Sequence, residues 1–302
     1  GEDLSEPSTL AACAKHFVGY SATEDGRDYN VTPIPPRDLN DIYLPPFLSS
    51  VKAGVATIMA GFNDLDGVPM SGNKRLLKNL LRDGFNFDGV VVSDFNAITE
   101  MILQGFCQDV KEAALKSIES EIDIEMVSLS YMNSIEQLIE EGYIHIDIVN
   151  KCVRRILELK HKLGLFKNPY SNNSSTQISS DIDNTIALEL AEQSFILLKN
   201  NESFLPLKND VKKITLIGPL ADSKTDQIGC WTMDADIDKV VTFYESIKAY
   251  CLEQNIELYY DSILPNCRES FETIDDVTLE HIRKSDVVIA VVGEDALMNG
   301  EK

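Results

Sequence analysis

The feature that most limits what this chain can fold into is a repeat of short apolar runs, each ending on polar residues and followed by a helical pattern. The runs are "LAACAKHF" from Leu10, "ATIMAGF" from Ala56, "GVVVSDF" from Gly89 and "EIDIEMV" from Glu121. Between and after them lie "RDLNDIYLPPFLSSVKAG", "SGNKRLLKNLLRDG", "VKEAALKSIES", "SIEQLIEEG" and "IDIVNKCVRRILELKHKLG". In the last of these Val149, Val153, Ile156 and Leu157 recur at helical spacing and Gly164 supplies a stop. Strand alternating with helix is the grammar of parallel α/β folds, either a βα barrel or a doubly wound sheet. In "GVVVSDF", three β-branched residues bounded by Gly and turn formers predict a strand buried on both faces. That strand closes on Asp94, a charge that is costly there unless something pairs with it or uses it. A helix cap, a metal ligand and a catalytic group are the roles open to it.

From Lys167 to Thr185 the sequence "KNPYSNNSSTQISSDIDNT" is rich in Asn and Ser and reads as a linker. A helix-like "ALELAEQSFILLKNN" follows, and then strands "KITLIGPLAD", "IELYYDS" and "VVIAVVGED" alternate with helices "VTFYESIKAYCLEQN" and "TLEHIRKSD". This predicts a second α/β layer domain. A complete eight-stranded barrel takes about 250 residues, whereas residues 1–166 hold four strand-helix units. The expectation is a segment of a longer protein which, alone, aggregates or stays molten because sheet edges and core are left open.

Charge narrows the partners. The 27 basic and 49 acidic side chains give a formal net charge of -22, which repels phosphate backbones and anionic membranes and leaves neutral substrates unaffected. The six cysteines, Cys13, Cys107, Cys152, Cys230, Cys251 and Cys267, lack CxxC spacing and read mostly as buried thiols rather than a disulfide scaffold. No HxH or HExxH spacing suggests a metal, the "IGPLAD" loop lacks a phosphate-binding glycine pattern, and neither metal nor cofactor is expected. His145, His161 and His281 fall in polar helical contexts and are expected at the surface. Compartment and oligomeric state are left open.

Active sites of barrels and open α/β sheets gather at the carboxyl ends of strands. The polar residues there are Lys15 and His16, Asn63, Asp94, Glu125 and, in the second domain, Glu294. A carboxylate, a cation and an imidazole converging in this way suit acid/base or nucleophilic work on a neutral polyol. The runs "AACAKHFVGY", "EDGRDYN", "RDLNDIYLPPF", "IMAGFNDLDGVPMSGNKRLLKNLLRD", "FDGVVVSDF", "DIEM", "VRRILELKHKLGLFKNPY" and "SFILLKNNESFLPL", in this order along nearly the whole chain, resemble glycoside hydrolase family 3, the family of many β-glucosidases and β-xylosidases. The resemblance implies an α/β fold, the second half of a (β/α)8-type barrel (1–166), a linker (167–185) and the start of an α/β sandwich domain (186–302), both domains incomplete.

It also implies a retaining exo-glycosidase acting on a small saccharide. Asp94 in "VVSDF" matches the family's nucleophile, followed by Phe95 where many members have Trp. Lys15 and His16 match a pair that hydrogen-bonds sugar hydroxyls. Met59 and Phe62 in "MAGFN" line the pocket, Phe62 standing where Tyr is common, and Arg27 with Asp28 helps shape it. Retention requires two carboxyl groups about 5–5.5 Å apart, one ionised and one protonated. Lys15 beside Asp94 would favour the ionised nucleophile. For the acid/base, "GEK" makes Glu301 the first candidate and Glu294 the alternative. The competing structural readings are a helix cap for Asp94, a satisfied core histidine for His16, and pairing with buried cations for Asp123 and Glu125.

Overall fold

The computed structural model describes residues 3–6, 9–170, 181–270 and 273–298. The chain separates into two compact units that divide between Ser175 and Thr176. In the first, strands β1 (Cys13–Phe17), β2 (Thr57–Ala60), β3 (Val90–Phe95) and β4 (Ile124–Met126) form one parallel sheet in the order β1-β2-β3-β4. Sequence neighbours are therefore sheet neighbours. That is the order of a barrel wall; a doubly wound sheet reverses at a switch point. All four expected strands are present. Gly89 lets β3 start hard against β2, since a Cβ there would lie 2.4 Å from the Ala56 carbonyl oxygen.

Helices α1 (Leu44–Lys52), α2 (Arg75–Gly84), α3 (Ala97–Leu103), α4 (Val110–Glu119), α5 (Ser130–Glu140) and α6 (Ile146–Lys162) cross between and after the strands. Leu76, Leu77 and Leu81 of α2 pack with Phe17, Ile58 and Val91 of the sheet in the main core. Asp109 caps α4 by accepting the Glu112 N–H at 2.8 Å. The periodicity of α6 predicts its helix, but its buried stripe is different from the one the spacing suggests. Cys152 is buried against Ala114, Ile118 and Leu138, whereas Val153 and Leu157 are exposed.

The amino ends of the strands are tied by a buried cluster of two cations and two carboxylates. Arg82 of α2 donates to Asp123 and to the carbonyls of Phe87, Gly89 and Glu121. Arg155 of α6 donates to Asp123 at 3.0 Å and to Glu121, and Asp123 also accepts the Val91 N–H at 2.8 Å. Asp123 thus has the structural pairing expected of it. Glu125 makes no ion pair among the described residues: it accepts the N–H groups of Ser130 and Tyr131 at 2.7 and 2.9 Å and holds the start of α5.

In the second unit, helices α7 (Asp181–Ser194), α8 (Lys224–Ile228), α9 (Phe243–Gln254) and α10 (Asp276–Lys284) accompany strands β5 (Lys213–Ile217), β6 (Glu257–Asp261) and β7 (Val287–Ala290). The sheet is parallel in the order β7-β5-β6, with the first strand in the middle, as in a doubly wound fold. Ile214, Cys251 and Val287 centre its core. Of the segment expected as a linker, 171–180 lie outside the described residues and 181–185 are already helical in α7. The strand expected to close on Glu294 ends at Ala290, so Glu294 lies in irregular chain beyond it.

Candidate active site

The carboxyl end of β3 is shaped by Ser93. Its hydroxyl donates to the Asp94 carbonyl at 2.9 Å and accepts the Met126 N–H at 2.9 Å. It thereby occupies the register shift between Val92 and Phe95 in the β3–β4 ladder. Asp94 follows, 8% exposed. Its Oδ1 accepts the Phe95 N–H at 2.8 Å, while Oδ2 is buried with no hydrogen-bond donor among the described residues. His16 Nε2 stands 3.4 Å from that oxygen. The two oxygens of one carboxylate are thus unlike: one is tethered, and the other holds a lone pair that something else must use.

Asp94 does not cap a helix. Helix α3 opens at Asn96 with no side-chain cap, and the one backbone N–H that the Asp94 carboxylate accepts among the described residues is that of Phe95, ahead of the helix. Among the described residues no group of three or more His, Cys, Asp or Glu could hold a metal ion.

His16, near the end of β1, is half-buried and opens a run of rings. Its ring lies 4.6 Å from that of Tyr20, Tyr20 lies 6.3 Å from Phe62, and Phe62 lies 4.8 Å from Tyr29. Burial lowers the His16 pKa; the Asp94 carboxylate opposes this, the Lys15 charge adds to it, and Asp28 opposes it. The ring is therefore neutral at neutral pH, with one nitrogen to donate and one to accept, which suits a hydroxyl partner.

The other expected site residues differ in how far the structure gathers them. Met59 on β2 pairs with Val92 across the ladder, one strand from Asp94. Phe62 is buried under Tyr29, and Phe95 is 53% exposed just beyond Asp94. Lys15 is exposed and makes no ion pair among the described residues. Nothing in the structure brings it to Asp94 in the way the sequence suggests. Arg27 is likewise exposed; its backbone is engaged, its N–H donating to the Glu24 carbonyl at 3.2 Å and its carbonyl accepting the Asn30 N–H at 3.0 Å. Its neighbour Asp28 is the group that acts on His16. In the second unit Glu294 is exposed, and Glu301 lies outside the described residues. Asp295, beside Glu294, is unsuited to give up a proton near neutrality. Arg268 holds it through two bonds of 2.6 and 2.8 Å and lowers its pKa to about 2.

Sequence reading missed Ser93, Tyr20 and Tyr29. The signal for the tyrosines was an aromatic in each of "VGY" and "DYN" beside residues already singled out.

Residues 4–159 match the family described as Glycosyl hydrolase family 3 N terminal domain, and residues 195–302 match the Glycosyl hydrolase family 3 C-terminal domain. A periplasmic beta-glucosidase of Salmonella typhimurium is 30% identical over 97% of this chain and 42% of its own length. A beta-xylosidase of Formosa agariphila is 32% identical over 82% of this chain and 36% of its own. The crystal structure of a beta-glucosidase from Listeria innocua in complex with glucose superposes with a TM-score of 0.85 at 32% identity, covering 99% of this chain and 41% of that one. The chain thus spans less than half the length of these relatives.

Proposed function

Because the chain belongs to glycosyl hydrolase family 3, we propose that it forms part of a retaining, exo-acting glycosidase that releases terminal β-linked glucose from oligosaccharides or aryl glucosides. In this reading residues 1–166 belong to the catalytic barrel, 167–185 connect the domains, and 186–302 belong to the sandwich domain. One observation carries it: Asp94 ends a core strand with Oδ1 tethered and Oδ2 buried without a donor among the described residues, 3.4 Å from His16 Nε2.

Asp94 Oδ2 attacks the anomeric carbon as a carboxylate while a second carboxyl group protonates the glycosidic oxygen. The bond from that carbon to the leaving oxygen breaks, and a glycosyl ester on Asp94 forms. The second group, now a carboxylate, takes a proton from water; the water oxygen attacks the same carbon and Asp94 leaves. Two inversions give retention. Neutral His16 and the Lys15 ammonium hold sugar hydroxyls, and Phe62 and Phe95 offer apolar faces to the ring and the leaving group. Glu301 is the acid/base in this reading, with Glu294 the alternative.

Glucose is favoured by the beta-glucosidase relatives and by the Listeria innocua enzyme, whose structures hold glucose and, in a mutant, laminaribiose. The Formosa agariphila relative supports a second reading, release of xylose by the same steps. The test is made in the full-length protein with an aryl β-glucoside. Asp94→Asn is expected to lower kcat/KM by about 10³-fold or more, and turnover within about tenfold of the parent would reject Asp94 as the nucleophile. A matched aryl β-xyloside separates the two sugars. Failure of a 2-fluoroglycoside to label Asp94 in the active-site assembly would favour a sugar-binding protein without turnover.

A further inference from the structure

Asn63 lies three residues beyond the end of β2 at Ala60, where the sequence suggested a polar strand end, yet the chemistry above gives it no part. It is fully buried, and its carboxamide lies where the ends of β1 and β2 meet. We propose that Asn63 is a positioning residue for His16: it sets how the exit of β1 lies on the exit of β2, and so how closely His16 stands to Asp94. The inference rests on the reading of Asp94 and His16 given above.

Asn63 Nδ2 donates to the Val18 carbonyl at 3.2 Å and to Thr32 Oγ1 at 3.0 Å, with the Asp64 carbonyl a third acceptor at 3.4 Å. Val18 is two residues past His16, so one amide group holds the backbone that carries the imidazole. Thr32 Oγ1 in turn donates to the Asp64 carbonyl, which closes the arrangement from the loop side. On the other side of the carboxamide, Oδ1 is buried with no donor among the described residues. It lies against the bare α-carbon of Gly61. A Cβ on Gly61 would sit 2.6 Å from Asn63 Oδ1, 3.3 Å from the Tyr20 ring and 3.6 Å from His16 Cβ. The Gly61 N–H donates to the Phe17 carbonyl at 2.7 Å, between His16 and Val18. Asn63, Gly61, Tyr20 and His16 therefore meet at one packed point. A longer or shorter group at 63 moves the imidazole.

Only an amide meets these demands. A carboxylate cannot donate to the Val18 carbonyl and to Thr32 Oγ1, and leucine fills the volume without tying Val18 to Thr32. Reactivity is sensitive to such placement, because an error of about 1 Å at a catalytic contact costs on the order of 10²-fold in rate.

The experiment uses the full-length protein and an aryl β-glucoside, with Asn63→Leu and the milder Thr32→Val, each alone and combined with His16→Gln. The titration of His16 is followed in parallel by NMR of its ring protons; Asp94 from β3, Lys15 from β1 and Asp28 from the loop are the charges that face it. Asn63→Leu is expected to lower kcat/KM by at least about tenfold and Thr32→Val by less. Both should shift the His16 midpoint, and both should cost less than about twofold once His16 is Gln, because residues acting as a unit are not additive. Equal losses in the two backgrounds, or a lowered melting temperature with an unmoved His16 midpoint, would overturn the proposal and leave Asn63 a packing residue. If Asn63→Leu does not fold, Thr32→Val decides by the same criteria. Near-parental activity of both Asp94→Asn and His16→Gln would instead reject the glycosidase reading, and the NMR midpoint would still judge the positioning of His16.

Discussion

His16 is the residue whose state depends most openly on its surroundings. Burial is the largest cause of its lowered pKa, so the native protein binds that proton more weakly than the unfolded chain does. Its contribution to stability is therefore fully present above the ordinary imidazole pKa and is withdrawn as pH falls through the lowered value. Replacing Lys15 by Met should raise the His16 midpoint, and replacing Asp28 by Asn should lower it, as NMR titration of the ring would show. A midpoint unmoved by either change would mean that these charges do not face the ring. Asp94 and His16 could be read from sequence because each ends an apolar run, where a polar residue is conspicuous. Tyr20 and Tyr29 could not, because rings that meet across loops leave no period in the chain; Asn63 stood out as a polar stop, but the bonds its amide makes could not be read. Arg27 and Lys15 were nominated by residue type and neighbourhood, and both are exposed.

Elements are held in place chiefly by groups outside the candidate site. Arg82 joins α2 to the starts of β3 and β4, and its removal would leave Asp123 with one of its two cations and the Phe87, Gly89 and Glu121 carbonyls short of a donor. Breaking one side of a buried pair costs about 3–5 kcal/mol. Arg82→Met should therefore lower unfolding stability by that order in a denaturant titration, and Arg82→Lys should recover little, since an ammonium cannot reproduce the fork. A loss below about 1 kcal/mol, the range of exposed pairs, would show the cluster to be better solvated than its burial implies. The strands were readable for a simple reason: buried parallel strands are continuous apolar runs, and each run here has a polar stop. Helix faces were harder. In α6 the period was correct and the buried stripe was not, because which side of a helix is covered depends on α4 and α5 and not on its own spacing.

Over the whole molecule, strand order separates two architectures that local patterns could not tell apart. Strand-helix alternation is the same in both units, but one sheet runs β1-β2-β3-β4 and the other β7-β5-β6. Pairing between distant segments is a property of the assembled sheet, so composition and periodicity leave it open. Charge acts at this scale too. The net charge of -22 is repulsive on average, whereas surface pairs such as Arg37–Asp41 and Lys284–Glu280 are exposed and contribute about 0–1 kcal/mol each. The cluster of Arg82, Arg155, Glu121 and Asp123 sums to zero charge and lies largely out of water. Mobile ions can reach the first two kinds of charge but not the third. Raising sodium chloride from about 0.01 M to about 1 M shortens the screening length from about 30 Å to about 3 Å. The melting temperature should rise as the repulsion fades, and a fall would mean that exposed attractive pairs outweigh it. The clasp at the amino ends of the strands is thus indifferent to ionic strength, and brine should tighten this fold where it loosens one stapled together at its surface.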